Sequence, residues 1–238
     1  MSEQLVIQGD CLEQLKLLPS DSVDCVVTSP PYNLSANKVR IKWNGKYQSD
    51  AIDYSNDEMD EVEYQQWQVD VLNECFRVIK PTGSVFYNHK IRKGIHPWEI
   101  TSKSKLKFHQ QIVWDRCGSH FPAVHSLGQS TELIYWLVKQ KPAVYKPKEL
   151  IWRCEVWRQM PVQGKKRPNH PAPFPIEIPT NCILLTTKPG DLVLDCFAGS
   201  GTTLVAAKLL NRNAVGIEVS KKYCKVIEER LKDAELVS

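Results

Sequence analysis

The sequence predicts an α/β protein built on a mostly parallel, doubly wound sheet. Three observations carry that expectation. Short apolar runs alternate with helical patterns along the chain, as in a sheet covered on both faces. The best of these runs, VDCVVT at 23–28, is continuously apolar enough for a buried parallel strand. Two unusual turns, Ser29-Pro30-Pro31-Tyr32 and Cys196 to Gly201, each follow a predicted strand. In such sheets ligands bind beyond the carboxyl ends of strands, near the point where strand order reverses.

Taken in order, residues 4–9 read as a strand. Leu12, Leu15 and Leu18 have near-helical spacing over 11–18, and Pro19 ends that helix. After the 23–28 strand, residues 34–57 are polar and aromatic and read as a long loop. Tyr64, Trp67, Val71, Leu72, Cys75 and Ile79 form one stripe of a helix over 60–79. Pro81-Thr82-Gly83 reads as a turn, with strands at 84–88, 107–115 and 131–139. Residues 141–175, rich in Pro, Lys, Arg and Trp, show no periodicity. A helix at 176–187, a strand at 191–195, a helix at 202–210 and a strand at 213–218 follow. The last helix starts at Ser220, a good N-cap residue, with Tyr223, Ile227 and Leu231 at four-residue spacing. No internal repeat divides the chain, so one domain over 1–238 is expected.

Composition narrows the class. The 238 residues suffice for one α/β domain, and 42% hydrophobic with 24% charged residues argues against disorder. No apolar run is long enough to span a bilayer, and the N-terminus lacks signal-peptide features, so a soluble cytoplasmic protein is expected. The eight cysteines are scattered without a C-x-x-C pair and the six histidines are dispersed, so neither a disulfide framework nor a metal site is expected. Net charge is +4, but residues 50–63 hold seven acids and no Lys or Arg; the rest of the chain sets 31 basic against 20 acidic residues. That balance suits a protein that meets phosphates.

The stretch LVLDCFAGSGTT reads as strand, tight glycine turn and helix start. Gly199 and Gly201 permit close backbone approach, and the helix N-terminus offers free N–H groups. Position 204 is Leu rather than a third glycine, and Gly201 is followed by Thr202-Thr203 rather than Lys, which weakens the dinucleotide and P-loop alternatives. Glu218 ends the next strand, 17 residues beyond Gly201, where an acid can take both ribose hydroxyls of a nucleoside. At the other turn, Pro30 and Pro31 stiffen the backbone and expose carbonyls as fixed acceptors. Ser29 adds an oxygen and Tyr32 a flat ring. This set suits an exocyclic amine, whose lone pair is delocalised until two acceptors hold its hydrogens and direct the nitrogen at an electrophile. Tyr32 could stack on a base flipped out of its helix.

These residues resemble a known family. Thr28 to Asn33 (TSPPYN) resembles the catalytic motif of DNA amino-methyltransferases, and Asp195 to Thr203 (DCFAGSGTT) their S-adenosylmethionine motif. The catalytic motif comes first, as in the circularly permuted beta group. Gly9-Asp10-Cys11-Leu12 resembles that group's G-D-x-L, whose acid contacts the cofactor adenine. Asn169 to Pro175 resembles the segment that helps enclose the methionine part. The resemblance covers nearly the whole chain and implies a Rossmann-like S-adenosylmethionine-dependent methyltransferase fold. It implies catalytic roles for Ser29, Pro30, Pro31 and Tyr32. It implies cofactor contacts from Asp10, Cys11, His170, Pro171, Phe174, Asp195, Phe197, Gly199, Ser200, Gly201, Thr202 and Glu218. Cys196 stands where the family often has Pro. The candidate target-recognition insert, about 116–168, is small for the group.

The implied reaction is direct methyl transfer to an amino nitrogen of double-stranded DNA. In the family, Ser before Pro-Pro goes with cytosine and Asp or Asn with adenine, so Ser29 favours cytosine N4 over adenine N6. Carbon-5 methylation needs a thiolate after Pro, and the chain has no Pro-Cys dipeptide. Basic and aromatic residues interleave at Lys38, Arg40, Lys42, Trp43, Lys46 and Tyr47, and again at Trp152, Arg153, Trp157, Arg158, Lys165, Lys166 and Arg167, as DNA contact would require. A homodimer and a cognate restriction endonuclease are compatible partners. Methylation of RNA or of a protein amide nitrogen, and a non-catalytic DNA-binding module, remain as alternatives.

Overall fold

The computed structural model describes residues 2–33, 42–43, 46–47, 59–91, 95–118, 128–162 and 175–234. β1 (Gln4–Gln8) leads into α1 (Cys11–Leu17), whose first N–H groups are capped by the Asp10 carboxylate, accepting from Leu12 at 2.9 Å and Glu13 at 3.1 Å. β2 (Val23–Thr28) follows, then a two-residue pair β3 (Lys42–Trp43) and β4 (Lys46–Tyr47), α2 (Glu61–Val78) and β5 (Ile79–His89). Next come α3 (Trp98–Thr101), β6 (Lys107–Asp115), β7 (Thr131–Val138) and β8 (Val156–Arg158). The chain closes with α4 (Glu177–Thr186), β9 (Leu192–Asp195), α5 (Thr202–Leu209), β10 (Asn213–Glu218) and α6 (Lys221–Asp233).

The main sheet has eight strands in the order β1-β10-β9-β2-β5-β7-β6-β8. β7 pairs antiparallel with both β5 and β6, and the other pairs are parallel. Helices cover both faces. Leu15, Leu72 and Ile100 from α1, α2 and α3 enter one core cluster; Ile183, Leu204 and Ile227 from α4, α5 and α6 enter the other. The expected doubly wound α/β sheet is present, with one opposed strand.

Strand order reverses between β9 and β2. α5 carries the chain from β9 outward to β10, whereas α2 carries it from β2 outward to β5. The turns that follow β9 and β2 therefore part company at the same edge, leaving a crevice between them. Because β7 runs the other way, its first residues reach that edge too.

Five elements differ from expectation, two of them being the short strands β3 and β4 inside the stretch read as a long loop. β5 starts directly at the end of α2, and Pro81-Thr82-Gly83 lie inside it. The pairing register jumps there from Val23↔Ile79 to Cys25↔Ser84, so this stretch is a bulge instead of a terminating turn. A Cβ on Gly83 would lie 3.1 Å from the Val23 carbonyl, which is why a bulge this close to β2 needs glycine. β8 forms inside the aperiodic 141–175 stretch, held by pairing with β6 and by the buried Trp157. α3 was not expected at all; its four residues are too few for a periodic signal.

Gly201 opens α5 at φ +77°, and a Cβ there would lie 2.8 Å from the buried Ile227 side chain. Left-handed strain and overpacking act together. Gly201→Ala should lower unfolding free energy by about 2–4 kcal/mol, read from the urea midpoint.

Candidate active site

Six neighbouring strands present residues along one edge of the sheet: Asp10 after β1, Glu218 at the end of β10, the glycine turn after β9, Ser29 to Tyr32 after β2, Asn88 and His89 closing β5, and Glu132 opening β7.

The β9 turn is organised by two buried carboxylates. Asp195 accepts from the Thr28 hydroxyl at 3.0 Å and from the Phe197 N–H at 3.1 Å. Thr28 is the last residue of β2, so one hydrogen bond joins the two turns across the crevice. Burial pushes the Asp195 carboxyl up to about 6. Glu218 accepts from the Gly199 N–H and the Ser220 N–H, both at 2.8 Å, and burial raises its pKa as well. The turn is thus folded around the side chain that ends the neighbouring strand. Arg230 of α6 grips it from below, donating to the Ser200 carbonyl and, at 3.2 Å each, to the hydroxyls of Ser200 and Thr202. No side chain caps α5, so its first N–H groups stay available.

Asp10 lies beside this turn. The β1–β10 register pairs Gln8 with Glu218, and the Gly9 N–H donates to the Glu218 carbonyl at 3.1 Å. Cys11 is buried as the first residue of α1, and Phe197 meets the Trp67 ring edge-on at 5.5 Å. The geometry brings Asp10, Cys11, Asp195, Phe197, Gly199, Ser200, Gly201, Thr202 and Glu218 into one neighbourhood. His170, Pro171 and Phe174 lie outside the described residues.

The β2 turn is equally ordered. The Tyr32 hydroxyl donates to Asn88 Oδ1 at 2.7 Å and lies 2.8 Å from Ser29 Oγ, which itself donates to Asn88 Oδ1 at 3.2 Å. The Asn88 Nδ2 donates to the Leu133 carbonyl at 3.2 Å, which turns the amide oxygen toward those hydroxyls. Burial and the neighbouring Glu132 carboxylate hold the Tyr32 phenol well above its ordinary range, so it stays protonated. The Tyr32 ring sits 4.8 Å from the His89 ring. Asn33, at φ +52°, receives the Met59 N–H at 2.8 Å and donates to the Met59 carbonyl at 2.9 Å, tying together the two ends of the intervening stretch.

One expectation about this turn needs correction. Carbonyls near the two prolines were expected to be exposed acceptors, but the Tyr64 hydroxyl already donates to the Pro31 carbonyl at 2.7 Å. The Pro31 carbonyl is therefore not an open acceptor at this turn. A second correction concerns Trp157, whose side chain is core and stacks on Trp152 at 5.3 Å, so it is not a surface platform for bases. Lys38, Arg40, Lys165, Lys166 and Arg167 lie outside the described residues. Lys42, Trp43, Lys46 and Tyr47 form the β3–β4 pair.

Asn88, His89 and Glu132 were not singled out from sequence; Thr28 was read only as the first residue of the TSPPYN motif and Tyr64 only as a position in a helical stripe. Asn88 and Glu132 did leave a signal: each is a polar residue at the end of an apolar run, VFY before Asn88 and LIYWLV after Glu132. Among the described residues no group of three or more His, Cys, Asp or Glu is placed to hold a metal, and no helix is long and apolar enough to cross a membrane.

The raised Asp195 pKa has a measurable consequence. Between its ordinary value of 3.8 and about 6 the folded protein binds more protons than the unfolded chain, so Asp195 costs stability as pH rises through that window. Asp195→Asn should gain on the parent between pH 4 and 7 by about 3 kcal/mol, seen in paired urea titrations.

Comparison with known proteins agrees with this layout. The DNA methylase family model N6_N4_Mtase matches residues 23–229. The chain is 29% identical over 252 residues to the type II methyltransferase M.HinfI of Haemophilus influenzae, covering 96% of this chain and 68% of that protein. The solved structure of PvuII DNA methyltransferase (cytosine-N4-specific) is similar at a TM-score of 0.78 and 20% identity, over 100% of this chain and 89% of that one. M1.HpyAVI in its SAM complex is similar at a TM-score of 0.68 and 23% identity, over 96% and 98%. The fold is the α/β fold of S-adenosylmethionine-dependent methyltransferases.

Proposed function

Since the chain belongs to the N6_N4_Mtase family of DNA methylases, we propose that it moves a methyl group from S-adenosylmethionine to an exocyclic amino nitrogen in double-stranded DNA, cytosine N4 being favoured over adenine N6. The observation that carries this reading is the adjacency of the two turns across one crevice, joined by the Thr28–Asp195 hydrogen bond.

The residues on the β1, β10 and β9 side fit a nucleoside that carries a positive sulfonium. Each Glu218 oxygen accepts one N–H and keeps lone pairs for ribose hydroxyls. Asp10 uses one oxygen, Oδ1, to cap α1, leaving Oδ2 for the adenine amino group. The uncapped α5 N-terminus suits the methionine carboxylate. When bound, the cofactor supplies an electrophilic methyl group.

The chain's own work lies at the β2 turn. Ser29 Oγ and the Pro30 carbonyl hold the two amino hydrogens, drawing the nitrogen toward tetrahedral geometry and freeing its lone pair. Asn88 fixes both hydroxyls of the turn, so this arrangement exists before the base arrives. Tyr32 offers its ring to a flipped base. The target-recognition segment is assigned to about 116–168, with the 34–57 stretch as a second DNA contact. A type II methyltransferase among the relatives supports a restriction–modification setting with a cognate endonuclease; a homodimer is compatible with it.

Incubation with unmethylated duplex and labelled cofactor, followed by nucleoside mass spectrometry, should yield N4-methylcytosine. N6-methyladenine would keep the activity and overturn the base preference; no labelled nucleoside from DNA would turn the search to RNA or protein amides. Ser29→Ala and Tyr32→Ala should each reduce turnover by about 100-fold or more while cofactor Kd changes less than about threefold. Full turnover in both variants would remove the turn from the chemistry.

A further inference from the structure

Methyl transfer to a neutral amine leaves a proton to be lost, and the β2 turn alone has no base to take it. Ser29 and Tyr32 are hydroxyls, and the Asn88 amide oxygen accepts hydrogen bonds without taking up a proton at ordinary pH. The nearest carboxylate lies on β7. Glu132 is 5% exposed, and its Oε2 accepts from the Tyr32 hydroxyl at 3.4 Å. Its Oε1 faces Lys90 Nζ at 3.2 Å and Arg116 Nη1 at 3.1 Å.

A carboxylate buried at this depth is poorly explained by stability alone. Apolar residues commonly replace buried ion pairs without loss, and β7 from Leu133 to Val138 is apolar and buried. The position is specific: β7 is the opposed strand, so its start is the place from which a side chain can reach the β2 turn from beyond β5.

We propose that Glu132 is the terminal proton acceptor of the transfer step, reached from the reacting nitrogen through the hydroxyls of Ser29 and Tyr32. The proposal rests on the assignment of Ser29 as a holder of the amine. As the nitrogen–methyl bond forms, the sulfonium–methyl bond breaks, the cofactor becomes a neutral thioether and the nitrogen becomes cationic. One of its protons passes to Ser29 Oγ, the Ser29 proton passes over 2.8 Å to Tyr32 Oη, and the Tyr32 proton passes over 3.4 Å to Glu132 Oε2. Both hydroxyls end neutral, and Glu132 ends protonated. An alkylated nucleobase ammonium is a stronger acid than a carboxylic acid, so the transfer runs downhill. Lys90 and Arg116, with side chains 27% and 28% exposed, link the carboxyl to solvent for the return of the proton. Asn88 is a positioning residue: its amide oxygen holds both hydroxyl protons at rest, and the relay runs when the Ser29 hydroxyl turns to Tyr32 Oη and the Tyr32 hydroxyl to Glu132 Oε2.

The test is a double-variant cycle in single turnover, with duplex DNA and labelled cofactor. Glu132→Gln and Tyr32→Phe interrupt the same path, so each should slow methyl transfer by about 10- to 100-fold. The double variant should be no slower than the slower single within about threefold. Cofactor and DNA Kd should stay within about threefold, and the solvent deuterium effect of the parent should disappear in the variants. Losses that multiply, or a Tyr32→Phe protein at the parent rate, would overturn the relay. Should Glu132→Gln fail to fold with two cations uncompensated, Tyr32→Phe leaves the ion pairs intact and its rate and isotope effect decide. A parent protein that methylates no DNA overturns the activity and the relay with it; a parent that methylates while the losses multiply overturns the relay alone.

Discussion

The buried Asp195 carboxylate at the seam between β9 and β2 is the constraint on which the site depends. It takes the Thr28 hydroxyl from one strand and the Phe197 N–H from its own turn, so it fixes the relative placement of the two loops that part there. Burying this acid is unfavourable, as its raised pKa shows. The cost is met by two hydrogen bonds and by flanking strands that are themselves core. Glu218 repeats the device one strand over, shaping the glycine turn through Gly199. Precision at the crevice comes from strand ends, which are rigid, and less from the loops themselves.

Much of the fold was legible because buried parallel strands and two-faced helices write strong periodic signals. The runs at 23–28, 107–115 and 213–218 match their strands residue for residue. The opposed direction of β7 was not legible. An apolar run such as TELIYWLV is the same whether its neighbours run with or against it. Nor were β8 and α3 legible, since their three and four residues are fixed by tertiary pairing and packing and not by local pattern.

The site divides in the same way. Both turns could be read because glycine and proline constrain the backbone wherever they stand. Asn88, Glu132 and Tyr64 come from strands and a helix 33 to 100 residues away from that turn. What places them is the sheet order, which local sequence does not contain. Sequence also could not show that Tyr64 occupies the Pro31 carbonyl.

The pairing of β1 with β10 has a consequence for how the molecule is made. β1 and Asp10 belong to the same half of the crevice as Glu218, yet about two hundred residues separate them, as in the hydrogen bond between Glu3 and Asn213. A chain emerging from the ribosome holds β1 without its pairing strand until almost all the rest has been synthesised, whereas α1 can pack on α2 much sooner. The half that carries the Ser29–Tyr32 turn, β2, β5, β7 and β6, can pair earlier. Assembly therefore runs from the middle of the sheet outward, and β1 closes it last.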